Sequence, residues 1–144
     1  MAKRVVVTGM GVVSPLGLNL ETTWEGIVNG KSGIDHITLF DASVHKTKIA
    51  GEVKNFKLED FGIDRKEGRR MDRYALFALA AATQAFNHSG LAINDQNRNR
   101  IGVLLGSGIG GIGLLSEQFK VLSEKGPSRI NPFFIPMMLS LIHI

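Results

Sequence analysis

Two glycine-rich stretches have the residue types and spacing to do chemistry. Gly106-Ser107-Gly108-Ile109-Gly110-Gly111 satisfies G-x-G-x-x-G letter for letter and follows the apolar run at residues 101–105. Gly9-Met10-Gly11 follows a similar run at residues 5–7. A strand that passes through such a loop into a helix presents bare backbone N–H groups to a pyrophosphate, so the chemistry in question is dinucleotide binding. That use also needs an acidic residue near the end of the next strand to hold the ribose. After Gly106 a helical pattern and then a proline-rich segment follow instead, and the acids at hand, Glu117 and Glu124, lie on that helix. After Gly9 the sixth position is Ser14 with Pro15 beyond it, where a packing glycine and a helix start are required. The competing use of glycine is conformational: it permits positive φ and close backbone packing where buried strands end.

The remaining reactive side chains narrow the field. The chain has no cysteine, which excludes a disulfide framework, a thiolate metal site and a cysteine nucleophile among its own residues. His36, His45, His88 and His143 are dispersed and read as surface or turn histidines, with His88 at a helix end, and no metal-ligand spacing is present. Lys66, Arg69 and Arg70 stand at i, i+3 and i+4, which would put three cations on one face of a helix. Such a run is either a solvated face or a docking face for an acidic partner; Arg65 and Arg73 flank it. The formal net charge of +4 permits an acidic partner without requiring nucleic acid. Basic residues are not interleaved with aromatics as in strand-binding surfaces.

Several elements must position these residues. Residues 5–8 and 101–105 are short, continuous apolar runs and read as buried strands. Asn19 caps a helix whose Leu20, Trp24, Ile27 and Val28 share a face, ending at Asn29-Gly30. A short strand is expected near residues 49–53. Residues 71–86 form a helix apolar nearly all round, and so buried on most sides in a larger protein, stopping at Asn87-His88-Ser89-Gly90. The helix after residue 111 shows Leu115, Phe119 and Leu122 on its apolar face and ends at Lys125-Gly126-Pro127. Pro132 and Pro136 bracket "PFFIP", too apolar for an ordinary surface loop. The order is that of a layered α/β fold, with too few strands for a stable sheet of its own. No stretch approaches membrane-spanning length, and Thr8, Gly9 and Gly11 interrupt the first apolar run before a leader core accumulates, so a cytoplasmic protein is expected.

Four stretches, "VVVTGMGVVSPLG", "KEGRRMDRYALFALAAA", "RIGVLLGSGIGG" and "INPFFIPMM", occur in this order. In them the chain resembles the β-ketoacyl-[acyl-carrier-protein] synthases over residues 3–138. The resemblance implies a thiolase-like α-β-α-β-α layered fold, of which residues 1–138 are the opening part of the first half; residues 139–144 read as a divergent tail and the apolar ending as that of a truncated product. It implies a condensing enzyme of fatty acid synthesis: a decarboxylating Claisen condensation at a cysteine assisted by two histidines and a lysine, with no cofactor and no metal. Those catalytic residues lie further along in the family than this chain runs, so the chain alone is expected to be inactive.

By the same resemblance, Ile109 and Phe134 lie at an acyl pocket by the interface of a homodimer, Phe134 reaching across from the partner subunit. Ordinary core packing would use the same residue types. Lys66, Arg69 and Arg70 match the residues beside which the family docks its acyl carrier protein. A non-catalytic carrier- or subunit-binding module is the alternative reading, and a nucleotide-binding enzyme a distant third. Neither nucleic acid nor membrane is an expected partner.

Overall fold

Asn19 begins the first helix as the sequence requires: its Oδ1 accepts from the Thr22 N–H at 2.9 Å, and α1 runs Leu20–Val28. The computed structural model describes residues 3–139, so all but Leu139 of the tail expected at 139–144, and His143 with it, lie outside the described residues. The chain divides into two units, Met1–Lys57 with Ala80–Leu91, and Leu58–Leu79 with Ala92–Ile144.

In the first unit α1 turns an unexpected face inward. Thr23 and Gly26 are buried, whereas Trp24 is 62% exposed and Ile27 and Val28 are exposed with it. The reason is local. Thr23 Oγ1 donates to the Gly17 carbonyl at 3.2 Å and lies 3.0 Å from Ser14 Oγ, and Leu16 packs where Gly26 has no side chain. Next come β1, Ile34–His36, and β2, Ile49–Gly51, an antiparallel pair in the register Asp35↔Ala50. The Glu52 carboxylate braces the connection, accepting from the Thr38 hydroxyl at 2.6 Å and from the N–H groups of Thr38 and Leu39 at 2.9 and 3.1 Å.

The second half of helix α3, Arg73–Ser89, holds the N-terminal segment. Gln84 Nε2 donates to the carbonyls of Val12 and Leu18 at 3.2 and 3.0 Å, and the Met10 N–H donates to His88 Nδ1 at 3.1 Å. Gly9 and Gly11 lie so close to α3 that a Cβ would overlap the carbonyl oxygens of Ala85 and Ala81. Residues 5–8 are not the buried strand that their composition predicts: they join no ladder among the described residues, and Val5 is 94% exposed. A β-branched run buried on both faces needs neighbouring strands, and the two-stranded β1–β2 sheet does not supply one.

In the second unit a single-turn helix, α2 (Arg65–Gly68), is capped by Asp64, whose Oδ1 accepts from the N–H groups of Lys66 and Glu67 at 2.8 and 3.2 Å. It packs the buried Gly68 on Leu58, part of the 3₁₀ turn Leu58–Phe61. Helix α3 starts two residues later than expected because Asp72 caps it, its carbonyl receiving the Ala75 and Leu76 N–H groups at 3.0 and 3.2 Å. Of the expected all-round burial, Ala75 and Ala80 are buried and Phe86 is exposed. Residues 101–105 also form no strand among the described residues, with Leu104 97% exposed. Helix α4, Ile112–Lys125, ends at Gly126 as expected, and a 3₁₀ turn, Pro127–Arg129, leads to α5, Phe134–Leu139. Gln118 on α4 is buried, and its Oε1 accepts from the Asn131 N–H at 2.8 Å, fixing the approach to α5.

Candidate functional site

The loop between residue 105 and α4 forms one wall of a cavity of about 380 Å³ within the second unit, lined by Tyr74, Ala78, Leu105, Ser107, Ile109 and Met138 among others. That volume is in the range of small-molecule sites, ~300–1,000 Å³. Its geometry is set by one carbonyl. Met138 lies in the last turn of α5, where backbone oxygens lose their helical partners. Its oxygen accepts from the Tyr74 hydroxyl at 3.0 Å and from the Gly111 N–H at 3.2 Å. Ser107 Oγ accepts from the Gly110 N–H at 2.9 Å and folds the loop back on itself.

This arrangement explains the glycines at the end of the loop. Gly110 has φ +75°, and a Cβ on it would sit 2.8 Å from the Met138 oxygen; a Cβ on Gly111 would sit 2.6 Å from Asp72 Oδ2 and 3.1 Å from the Met138 Cα. The glycines admit the end of α5 and a carboxylate. The first turn of α4 is also occupied in a way that opposes a pyrophosphate, because Asp72 Oδ2 accepts from the Leu114 N–H at 3.3 Å. A carboxylate at a helix N-terminus takes the positive dipole end that a phosphate would use and repels a second anion.

Ile109 lines this cavity and is 71% exposed. Phe134 does not share it. The half-buried Phe134 ring lies instead in a groove of about 100 Å³ with Leu115, Phe119, Leu122 and Ile130, between α4 and α5. Within one chain Ile109 and Phe134 therefore face separate spaces.

The basic run is arranged differently from the expected helical face. Because α2 ends at Gly68, only Lys66 of the three lies within it; Arg69 is its C-cap, and Arg70 follows in a tightened turn, its N–H donating to the Glu67 carbonyl at 2.9 Å. All three remain exposed. The Arg70 guanidinium stands over the Phe133 ring, 5.1 Å from its centroid. Arg65 pairs with Glu59, and Arg73 stands over the Phe77 ring at 4.9 Å. No group of three or more His, Asp or Glu residues that could hold a metal ion occurs among the described residues, nor is any helix there long and apolar enough to cross a membrane.

Tyr74, Met138 and Asp72 carry the site's geometry; they lie inside two of the four quoted stretches, which do not mark them as site residues. The available signals were Asp72 immediately before an apolar helix, an N-cap pattern, and Tyr74 as the chain's single tyrosine.

The sequence model described as "Beta-ketoacyl synthase, N-terminal domain" matches residues 2–142. The chain is 50% identical over 138 residues to a 3-oxoacyl-[acyl-carrier-protein] synthase 2 of Synechocystis sp., covering 96% of this chain and 33% of that protein. It thus spans about a third of the length of that relative. Among solved structures it is similar to the ishigamide ketosynthase/chain length factor, with a TM-score of 0.75 and 26% identity over 92% of this chain and 33% of the other. It also shares its fold, with a TM-score of 0.76 and 22% identity over 96% of this chain and 37% of that one, with a chain in a solved complex of a type II PKS acyl-carrier protein and its ketosynthase bound to the hexaketide. The fold is therefore the thiolase-like one of the ketosynthases, of which this chain covers the N-terminal part.

Proposed function

The chain belongs to the β-ketoacyl synthase family, and on that footing we propose that it forms the acyl-binding and carrier-docking opening of a 3-oxoacyl-[acyl-carrier-protein] synthase of fatty acid elongation. The complete enzyme works in the cytoplasm as a homodimer. A cysteine thiolate of that enzyme takes the acyl chain from its carrier as a thioester and releases the carrier thiol. Malonyl-carrier then loses CO₂, and the resulting carbanion attacks the thioester carbonyl, which expels the cysteine thiolate and lengthens the chain. With no cysteine of its own, this chain contributes binding and positioning to those steps.

The observation that carries the reading is the cavity at Ile109. Leu105 and Ile109 give it an apolar lining, and the bonds at Met138 hold its wall. Each methylene of an acyl chain buried there contributes about 0.8 kcal/mol, so the depth of the cavity selects chain length. The groove at Phe134 faces the partner subunit in this reading. The exposed cations Lys66, Arg69 and Arg70 meet the acidic carrier, a role supported by the ketosynthase fold-relative that is itself in complex with a carrier protein.

The test is a graft in which residues 1–138 of this chain replace the matching third of the Synechocystis synthase. Ile109→Phe in that protein is expected to abolish turnover of the longest acyl chains while short-chain turnover survives. Equal losses at all lengths would make Ile109 a packing residue and remove the reading. The second reading is a non-catalytic carrier- or subunit-binding module, for which the exposed cations Lys66, Arg69 and Arg70 would serve equally. Carrier binding by the 144-residue chain, together with a graft that is inactive on every substrate, would select it.

A further inference from the structure

We propose that Tyr74 and Ala78, on α3, are specificity-determining residues of the cavity that Ile109 also lines; the inference rests on the acyl-binding reading of that cavity. They stand at i and i+4, one helical turn apart, and both line the cavity. Tyr74 is partly buried, and its ring is not free to swing. The hydroxyl at its tip donates to the Met138 carbonyl at 3.0 Å, so the ring is anchored at one end by α3 and at the other by the last turn of α5. Gly111 donates to the same oxygen at 3.2 Å, which joins the glycine loop, α5 and Tyr74 at a single acceptor. Ala78 presents only a methyl group to the space from α3, so a larger side chain there would occupy part of the volume.

The two positions should act in opposite directions. Tyr74→Phe keeps the ring and removes the hydroxyl. The Met138 carbonyl then keeps only the Gly111 bond, the end of α5 is released on the Tyr74 side, and the cavity can lengthen. Ala78→Leu instead places a branched side chain inside the cavity and shortens it. A residue that served only to hold the fold together would alter all acyl lengths alike.

The measurement is kcat/KM for short, medium and long acyl-carrier thioesters in the Synechocystis graft, with Ile109→Phe as the reference variant. Tyr74→Phe is expected to raise the long-to-short ratio several-fold, and Ala78→Leu to lower it about tenfold, the scale on which pockets discriminate by added carbon. If Ala78→Leu does not fold, the ratio for Tyr74→Phe decides alone, since that change adds no volume. An unchanged ratio in Tyr74→Phe, while Ile109→Phe shortens the accepted range, overturns the inference and leaves the acyl pocket standing. An unchanged ratio in all three variants overturns the pocket itself.

Discussion

Asp72 and Leu114 are joined across 42 residues of chain: the carboxylate Oδ2 accepts the Leu114 N–H at 3.3 Å in the first turn of α4. The other oxygen, Oδ1, accepts from the Arg73 N–H at 2.5 Å where α3 begins. One carboxylate therefore serves two helix starts, each with unpaired N–H groups and a positive dipole end. Asp72→Ala should destabilise the grafted synthase by about 1–2 kcal/mol. Asp72→Asn, which keeps one acceptor oxygen, replaces the other with a donor and loses the charge, should lose about 0.5–1.5 kcal/mol. Denaturant midpoints read the order wild type, Asn, Ala; equal midpoints would show that neither start depends on Asp72.

Glycines in the two loops should differ sharply in tolerance. Gly11→Ala presses a methyl group into the Ala81 carbonyl of α3, and Gly111→Ala presses one into Asp72 and Met138. Each should lose about 1–3 kcal/mol, the range for overpacking. Gly106 and Gly108 have open space where a Cβ would go, so alanine there should leave the midpoint nearly unchanged. Thermal unfolding of the four variants separates close packing from a general need for glycine.

Charge reversal at Lys66, Arg69 and Arg70 should weaken carrier-dependent turnover in the grafted synthase and spare small thioesters that lack the carrier. The defect should shrink as salt is raised, because exposed cations act over a Debye length of about 8–10 Å at 0.1–0.15 M. Arg70 should stand apart from the other two, since its guanidinium also packs on Phe133 and its removal strips an aromatic contact. Turnover of carrier-bound and carrier-free substrates over a salt series tests this; equal slowing of both removes the docking role.

Glu52 offers a pH-dependent bond. The Thr38 hydroxyl, then the Thr38 N–H and more weakly the Leu39 N–H, hold its carboxyl below the ordinary glutamate range. A depressed folded-state pKa means that the stabilisation is present at neutral pH and is lost as pH falls through that lowered value. The Thr38 and Leu39 amide resonances should therefore shift together, with a midpoint below that of an unperturbed glutamate, and Glu52→Gln should abolish the shift. A midpoint at the ordinary value would show that the bonds do not favour the charged form.

Local signals were legible in the sequence, and long-range ones were not. The Asn19 cap and the end of α4 at Gly126 each depend on neighbours within a few positions, and the structure has them where the residues point. The buried face of α1 departs from the apolar pattern of Trp24, Ile27 and Val28 because Thr23 turns inward to polar partners at Ser14 and Gly17. Spacing alone puts the basic run on one helical face, but it carries no record that Gly68 packs on Leu58 and that the helix ends there. Residues 5–8 and 101–105 have strand composition, but a strand is a property of a pair, and no ladder partner lies among the described residues. Tyr74 and Met138 are separated by 64 positions, and no motif links them.

That separation has a consequence in time. A ribosome adding about 5–20 residues per second needs roughly 3–13 s to pass from Tyr74 to Met138, 64 residues on. Throughout that interval the Tyr74 hydroxyl and, once made, the Gly111 N–H lack their shared acceptor, the Met138 oxygen. The wall of the cavity can close only after α5 has left the exit tunnel. A pause, a nick or a premature stop between Ser89 and Met138 would yield a nascent chain with the sequence of α3 complete and the loop without its latch.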